Sequence, residues 1–454
     1  FLSMGMVSPV MVAKNLNELI TNKSIEWLQN EMDSDARRNL VWALENICMD
    51  ENAFLDGAKC LARLAVAENE DISNNATGQF LQLFHLYLSG TQADLKTHIS
   101  LIQSLRENEI YLPLVIKAIG SAFVTRGFHR TITNGISTYS DTPDDYQPSI
   151  SEVKFYWRDC VDVLTYITDQ KPELCQMVID MLPNHVGDFS NLCEMPLLYR
   201  LIEHYGEALD YQWPKMRDNL SMCLQHWFKG TAEQSVELKG WIMKLAPRTL
   251  LGRIKASLKD EPHRINGDYE KYQETMSNQM SPFAEEFLIS KVYETQEFED
   301  IILDRELYAH WFICLIAQKM EEKGLTHHVL NGAMKVVMNQ PKSFDCSFIP
   351  ELVIRLEDIE TVNEFRTNLL SNKYYNLYSS VTGAIDSETY PFLKEIINAY
   401  KDGSCDNCCI NNYLRYYRYH TVQNVIKIFD LLNVAQVSGK DVCYPYLLDH
   451  LQYH

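Results

Sequence analysis

The chain has 454 residues with 41 basic and 61 acidic side chains, a net charge of −20. That length exceeds one compact core, and that charge opposes general binding to nucleic acid, whose phosphates need a basic footprint. With 46% hydrophobic and 11% aromatic residues but only 18 Gly and 15 Pro, the chain carries enough apolar surface to offset chain entropy and is expected to be ordered nearly throughout.

The first residue is Phe1, and no basic segment followed by an apolar run precedes the helical pattern, so the chain reads as a fragment without a secretory signal. The longest apolar candidate, Trp311 to Ala317, is far short of a membrane span, and no membrane role is expected. Twelve cysteines are scattered without a disulfide framework. Cys60, Cys160, Cys223 and Cys314 fall on apolar helical stripes, the usage of a reducing, cytoplasmic compartment.

Apolar residues recur at helical spacing along the whole chain, and alternating runs are nearly absent. Leu40, Ala43, Leu44 and Ile47 form a stripe introduced by Asp33 or Ser34 as cap. Phe54, Ala58, Leu61, Ala62 and Ala65 follow after a break short enough to force an antiparallel neighbour, which predicts a helical hairpin. Asn74 and Asn75 precede Ala76-Thr77-Gly78, where a helix needs a side-chain cap rather than a ligand-reading amide. Phe80, Leu81, Phe84 and Leu88 continue the device, as do Leu95, Ile99, Ile102 and Leu105, then Leu112, Val115, Ile116 and Ile119. Ser149 and Glu152 have capping-box spacing ahead of a longer helix bearing Val153, Tyr156, Trp157, Cys160, Leu164 and Ile167.

Pro172 occupies a first helical position, Pro183 and Gly187 interrupt the pattern, and helices are predicted over Met195–Leu209, Trp213–Phe228 and Glu233–Leu245. The polar stretch from Lys259 to Ser281 divides the chain into helical subdomains 1–260 and 261–454. Ser281 and Pro282 then restart a helix by cap and first-turn proline, and stripes resume through Phe287, Ile301, Trp311, Leu330, Ile349, Phe365, Phe392 and Val425. The pattern predicts an all-α fold, a right-handed α-solenoid or stack of helical hairpins of degenerate HEAT or TPR type. No strict repeat of about 33 or 34 residues can be read.

The segment Arg37 to Phe84, with Leu61-Ala62-Arg63-Leu64-Ala65, the acidic turn Glu68 to Asp71 and Asn74-Asn75-Ala76-Thr77-Gly78, resembles the helical region of bacterial STAND-type (NLR-like) NTPases and related defence proteins. The likeness continues at Gly127-Phe128-His129-Arg130-Thr131 and Tyr156-Trp157-Arg158. It implies a sensor or autoinhibitory scaffold in antiphage defence, placed after an NTPase or effector module. The array would hold a protein ligand or pack on its own NTPase module, and would oligomerise through that upstream module. The shared positions are structural, so no catalytic residue is implied.

Chemistry has no anchor in the sequence. Gly439-Lys440 lacks the upstream glycine and following hydroxyl of a phosphate loop, and HExxH, GxSxG and Glu-x-x-His motifs are missing, so neither enzyme activity nor a cofactor is expected. The alternative is an all-α enzyme of the α/α-toroid type with acidic catalytic residues. Cys405, Cys408 and Cys409 have the spacing of half a zinc site, which His420 or Cys443 would complete; reduced thiols in a turn and adjoining helix are the expected reading, with redox sensing a third. Tyr413, Tyr416, Tyr417 and His420 lie at i, i+3, i+4 and i+7, which reads as a packed aromatic seam, with Arg415 and Arg418 off that face, rather than a base-stacking strip. His327 and His328 read as a solvated helix start.

Thr125 to Pro148 is the longest stretch without helical period. Arg126, His129 and Arg130 bring positive charge, Asp141, Asp144 and Asp145 negative charge, and Phe128, Ile132, Ile136, Tyr139 and Tyr146 apolar anchors. Such a loop either braces the array or binds a partner, and Arg126, Phe128, His129, Arg130, Tyr139 and Tyr146 are the partner-binding candidates.

Overall fold

Short polar side chains start many of the helices, and apolar stripes bury them. A computed structural model describes residues 7–128, 144–260, 269–304, 310–387, 391–417, 421–434 and 437, and among these every regular element is helical. Ser24, Asp33, Asn75, Asp94, Ser149, Thr231, Thr249, Asp358 and Asp406 each accept a hydrogen bond from a backbone N–H two or three residues on. The capping box expected at Ser149 and Glu152 is present, and Asn75 caps as expected.

The chain divides between Ala246 and Pro247. This is earlier than the expected boundary at 260, because Leu250 and Ile254 join the apolar core of the second unit. The first unit contains α1 (Pro9–Thr21), α2 (Ile25–Asn30), α3 (Ser34–Ile47), α4 (Phe54–Val66), α5 (Ala76–Gln82), α6 (Leu95–Leu105), α7 (Leu112–Ala122), α8 (Ile150–Gln170), α9 (Cys175–Met181), α10 (Val186–Asn191), α11 (Met195–Ala208), α12 (Pro214–His226) and α13 (Ala232–Lys244). The second contains α14 (Leu250–Lys259), α15 (Tyr269–Ile289), α16 (Gln296–Leu303), α17 (His310–Glu322), α18 (Thr326–Met338), α19 (Phe348–Val353), α20 (Ile359–Ser371), α21 (Tyr375–Ile385), α22 (Pro391–Lys401), α23 (Asn407–Tyr416) and α24 (Val422–Val434).

Two expectations about elements are corrected. Ser281 and Pro282 do not restart a helix, since Pro282 lies inside α15. Its ring removes one backbone donor, but Met280, Ala284, Phe287 and Leu288 on either side are buried and the helix packs along α17, so tertiary burial outweighs the break. The helix carrying Phe80 ends at Gln82, so Phe84 is buried from a turn and Leu88 takes a left-handed backbone (φ 56°).

In both units helices pack on the next but one along the chain. In the first unit α4 meets α6, α5 meets α7, α6 meets α8 and α10 meets α12. In the second, α15, α17, α19, α21 and α23 make one row of successive contacts, and α14, α16, α18 and α20 make another. One close approach lies between α21 and α23, where a Cβ on Gly383 would stand 2.3 Å from the Tyr413 carbonyl oxygen. Only glycine permits that spacing.

The first unit is tied at its start by Arg37, whose side chain is fully buried. Its Nη1 donates to the Leu28 carbonyl at 2.9 Å, and its Nη2 donates to the Leu64 carbonyl at 2.6 Å and to Glu68 Oε1 at 3.4 Å. One guanidinium thus joins α2, α3, α4 and the turn beyond α4. Arg37→Ala is expected to lower unfolding free energy by about 3–5 kcal/mol, because it strands two buried carbonyls and takes the cation from beside Glu68; Arg37→Lys should recover little, since an ammonium lacks the planar fork. Urea titration of the variants against the parent chain measures both, and a Lys variant of parental stability would contradict the account.

Candidate functional site

The described ends of the 125–148 loop are held by specific bonds. Trp157 on α8 donates its indole N–H to the Ala122 carbonyl at 2.9 Å and packs with Phe123 and Phe189, which fixes the end of α7 against α10. From there Thr125 donates through its backbone N and its Oγ1 to Asp188 Oδ1, at 2.8 and 2.6 Å, and its Oγ1 accepts from Asn191 at 3.1 Å. Arg126 is exposed, with Nη2 3.5 Å from where a Cβ on Gly187 would stand. Phe128 is half-buried, its ring 5.7 Å from His85 and 5.6 Å from Tyr87. At the far end Asp145 Oδ2 accepts from the Gly90 N–H at 3.2 Å, and the Tyr146 N–H donates to the Thr91 carbonyl at 2.9 Å. His129, Arg130 and Tyr139 lie outside the described residues. The structure therefore distributes Arg126, Phe128 and Tyr146 among three separate contacts.

Tyr146 leads into a groove. Its hydroxyl donates to Glu152 Oε1 at 2.5 Å, while Glu152 Oε2 accepts from the Ser149 N–H and hydroxyl at 2.8 and 2.6 Å. These bonds, with Ser149 first and Tyr146 next, hold the Glu152 carboxyl down at about 2, and the same Glu152 bond pushes the Tyr146 phenol up to about 12. Beyond them, between α6 and α8, a cavity of about 260 Å³ is lined by Leu95, Ile99, Phe155 and Tyr156 and rimmed by Asp94, Glu152 and Asp159, with Lys96 the one base in its wall. Phe155 is 64% exposed at its lip and Ile150 is 62% exposed nearby in sequence. Partial burial, then neighbouring Asp162, push the Asp159 carboxyl above its usual range. Glu152 and Asp94 are already committed to helix starts, which leaves Asp159 as the rim carboxylate outside the caps.

Sequence reading assigned Leu95, Ile99 and Tyr156 to core stripes and Glu152 to a cap, and missed that they enclose a groove. The available signal was Phe155 and Ile150, large apolar residues off the buried face of α8.

In the second unit, Asp406 begins α23 by accepting the Cys408 N–H at 2.9 Å, which sets Cys405 just before the helix and Cys409 within its first turn. Cys408 is exposed and Cys409 is 2% exposed. Burial, and after it the Asp406 carboxylate, raise the Cys408 thiol. His420 and Cys443 lie outside the described residues, and among those described no group of three or more His, Cys, Asp or Glu is arranged to hold a metal. The aromatic seam is seen for its described members: Tyr413, Tyr416 and Tyr417 are buried, and the rings of Tyr413 and Tyr417 stack at 5.6 Å. The helix ends at Tyr416, so it does not carry the seam on to His420. His327 and His328 fall in the first turn of α18 as read from the sequence.

No known protein family, curated protein or solved structure matches the chain. No helix among the described residues is long and apolar enough to cross a membrane.

Behind the groove, His98 on α6 is buried against Phe54 at 4.8 Å, with Tyr156 at 6.4 Å, and burial holds its pKa down from 6.5 to about 4. Between those values the unfolded chain takes up a proton that the folded chain refuses, so stability falls as pH is lowered from 6.5 towards 4, by on the order of 3 kcal/mol from this residue. His85 titrates in the same direction, so the comparison of His98→Phe with the parent isolates the term, and equal pH slopes would refute it. Separately, Asp188→Ala is expected to cost about 1–3 kcal/mol by stranding the Thr125 N–H, read as a fall in thermal midpoint with unchanged far-ultraviolet dichroism.

Proposed function

We propose that the chain is a non-catalytic helical scaffold that holds a protein ligand, and that the groove between α6 and α8 grips a segment presenting an apolar side chain beside Lys or Arg. The observation that carries this reading is the exposed Phe155 over an apolar floor of Leu95, Ile99 and Tyr156 with a carboxylate rim. A monomer covers such a ring at little cost, whereas an aromatic left at the lip of an apolar cleft is an anchor for a partner. The acidic rim selects a basic neighbour for the inserted group and sets its orientation.

Three features extend the reading. Next-but-one packing in both units supports stacked hairpins of the α-solenoid type, in which a partner meets extended surface rather than a deep pocket. The burial of Cys48, Cys60, Cys160 and Cys223 in the apolar core is the usage that supports reading a reducing, cytoplasmic compartment. The pattern from Arg37 to Phe84 supports placing the scaffold in a STAND-type antiphage defence NTPase as its sensor region, where the ligand is either foreign or the protein's own NTPase module.

A peptide panel pairing Leu or Phe with Lys or Arg, titrated by fluorescence anisotropy, tests the groove. Phe155→Ala and Asp159→Lys are each expected to weaken the best binder about tenfold or more, about 1.4 kcal/mol, with helix content unchanged. Binding that survives both substitutions would remove the groove from the reading.

A further inference from the structure

A cavity of about 20 Å³, room for one water-sized group, lies between the turn that joins α10 to α11 and the start of α13. Cys193 takes a left-handed backbone (φ 54°) and, with the Glu194 N–H donating to the Phe189 carbonyl at 2.9 Å, turns the chain into α11. α11 supplies Met195 and Tyr199 to the lining, 6% and 5% exposed. Opposite them, Gly230 lets the Phe228 ring lie close against the turn before α13, since a Cβ there would stand 2.3 Å from Phe228 Cζ. α13 adds Glu237, which is exposed and makes no hydrogen bond or ion pair among the described residues. The buried Tyr199 hydroxyl likewise has no hydrogen-bond partner among them, and no Lys or Arg lines the cavity.

The same aromatic column shows what such groups hold. Tyr199 stacks on Trp241 at 5.4 Å, and Lys244 Nζ stands 4.7 Å from the Trp241 ring and 4.0 Å from that of Tyr211. Both Glu203 oxygens accept from that ammonium, at 2.9 and 2.8 Å, and the Tyr211 hydroxyl donates to Glu203 at 2.9 Å. The cavity repeats the set of two rings, a carboxylate and a phenol, in Phe228, Tyr199 and Glu237, but its own lining brings no cation.

We propose that this cavity binds the ammonium head of a lysine side chain from a partner protein. The rings and the Glu237 carboxylate attract the cation, and the Tyr199 hydroxyl accepts from one of its three N–H donors. Burial, and after it Glu237, push the Tyr199 phenol up, so it stays a neutral acceptor. Size selects the primary amine, because one ammonium fits where a trimethylammonium or the planar guanidinium of arginine does not. Exposed Pro196, with Phe228, gives the aliphatic stem an apolar surface. The site shares no lining residue with the groove between α6 and α8 and does not rest on it.

Cys193 lines the cavity and is exposed, so it serves as the reporter, with exposed Cys408 as the reference thiol. The full chain is alkylated with iodoacetamide at fixed ionic strength while N-acetyl-lysine methylamide is titrated in, and both cysteines are followed by mass spectrometry. Alkylation of Cys193 is expected to slow about fivefold or more, with a midpoint of about 1–5 mM, while Cys408 is unaffected. Methylammonium should need about fivefold more for the same effect, since it lacks the stem, and the norleucine and trimethyllysine analogues should not protect. Glu237→Gln, at an exposed position with no partner in the fold, should raise the midpoint about tenfold at unchanged thermal midpoint, and Tyr199→Phe should move it in the same direction. No protection by about 50 mM of the lysine analogue, equal protection by methylammonium, norleucine or trimethyllysine analogues, or a midpoint unchanged in Glu237→Gln would each overturn the proposal.

Discussion

A charge taken out of water fixes the start of this molecule. Arg37 has no exposed surface, and its partner Glu68 does more than face it. Glu68 Oε1 also accepts from the Asn69 and Glu70 N–H groups, at 3.1 and 3.2 Å, and Oε2 accepts from the Thr77 N–H at 2.9 Å, inside the first turn of α5. Burying a guanidinium is costly unless its donors are met, and here one carboxylate and two carbonyls, of α2 and α4, meet Nη1 and Nη2 while Nε is left without a partner. The pair therefore acts as a template. α2, α3, α4 and α5 all meet at it, and α4 in turn contacts α6, which lines the groove.

The second unit is organised around α21, which is buried along nearly its whole length and carries Ser379, Ser380 and Thr382 into the interior. Ser380 donates to Asp345 at 2.9 Å, and burial pushes the Asp345 carboxyl up even so. At the end of the helix, buried Asp386 accepts from the Phe392 N–H at 3.1 Å and from the Tyr413 hydroxyl at 2.8 Å, joining α21, α22 and α23 at one carboxylate. Small hydroxyl side chains and Gly383 allow α23 to come close, and the closeness is what brings Cys409 to Asn376. Apolar burial is uniform here; the positions that specify which helices meet are polar or lack a side chain.

Local signals were legible and long-range ones were not. Ser149 with Glu152, and Asn75 before Ala76, could be read because a cap and its target lie within one turn. Stripes such as Val153, Tyr156, Trp157 and Cys160 marked a buried face without saying what would cover it. Nothing in the sequence marked Arg37 as buried, since its partners Leu28, Leu64 and Glu68 are scattered along the chain. Pro282 misled for a related reason: the local rule for proline is correct, and the contact that overrides it lies on α17, beyond any local window. The groove escaped notice because a core position and a groove-lining position share the same residue types. The thiol turn was visible as a spacing, but that Cys409 would meet Asn376 on α21 while Cys408 stays exposed was not.

Next-but-one packing also bears on how the chain is made. α15 finds its main partner in α17, and α17 goes on to meet α19, each a few dozen residues further along. Contacts of such short range close cheaply, and topologies dominated by them fold fast. On a ribosome, each helix would meet the surface it covers soon after the next hairpin emerged, so apolar faces would be sheltered in the order of synthesis. Gly383 keeps the same timetable: α21 stays uncovered on that side until Tyr413, in the next helix but one, has been added.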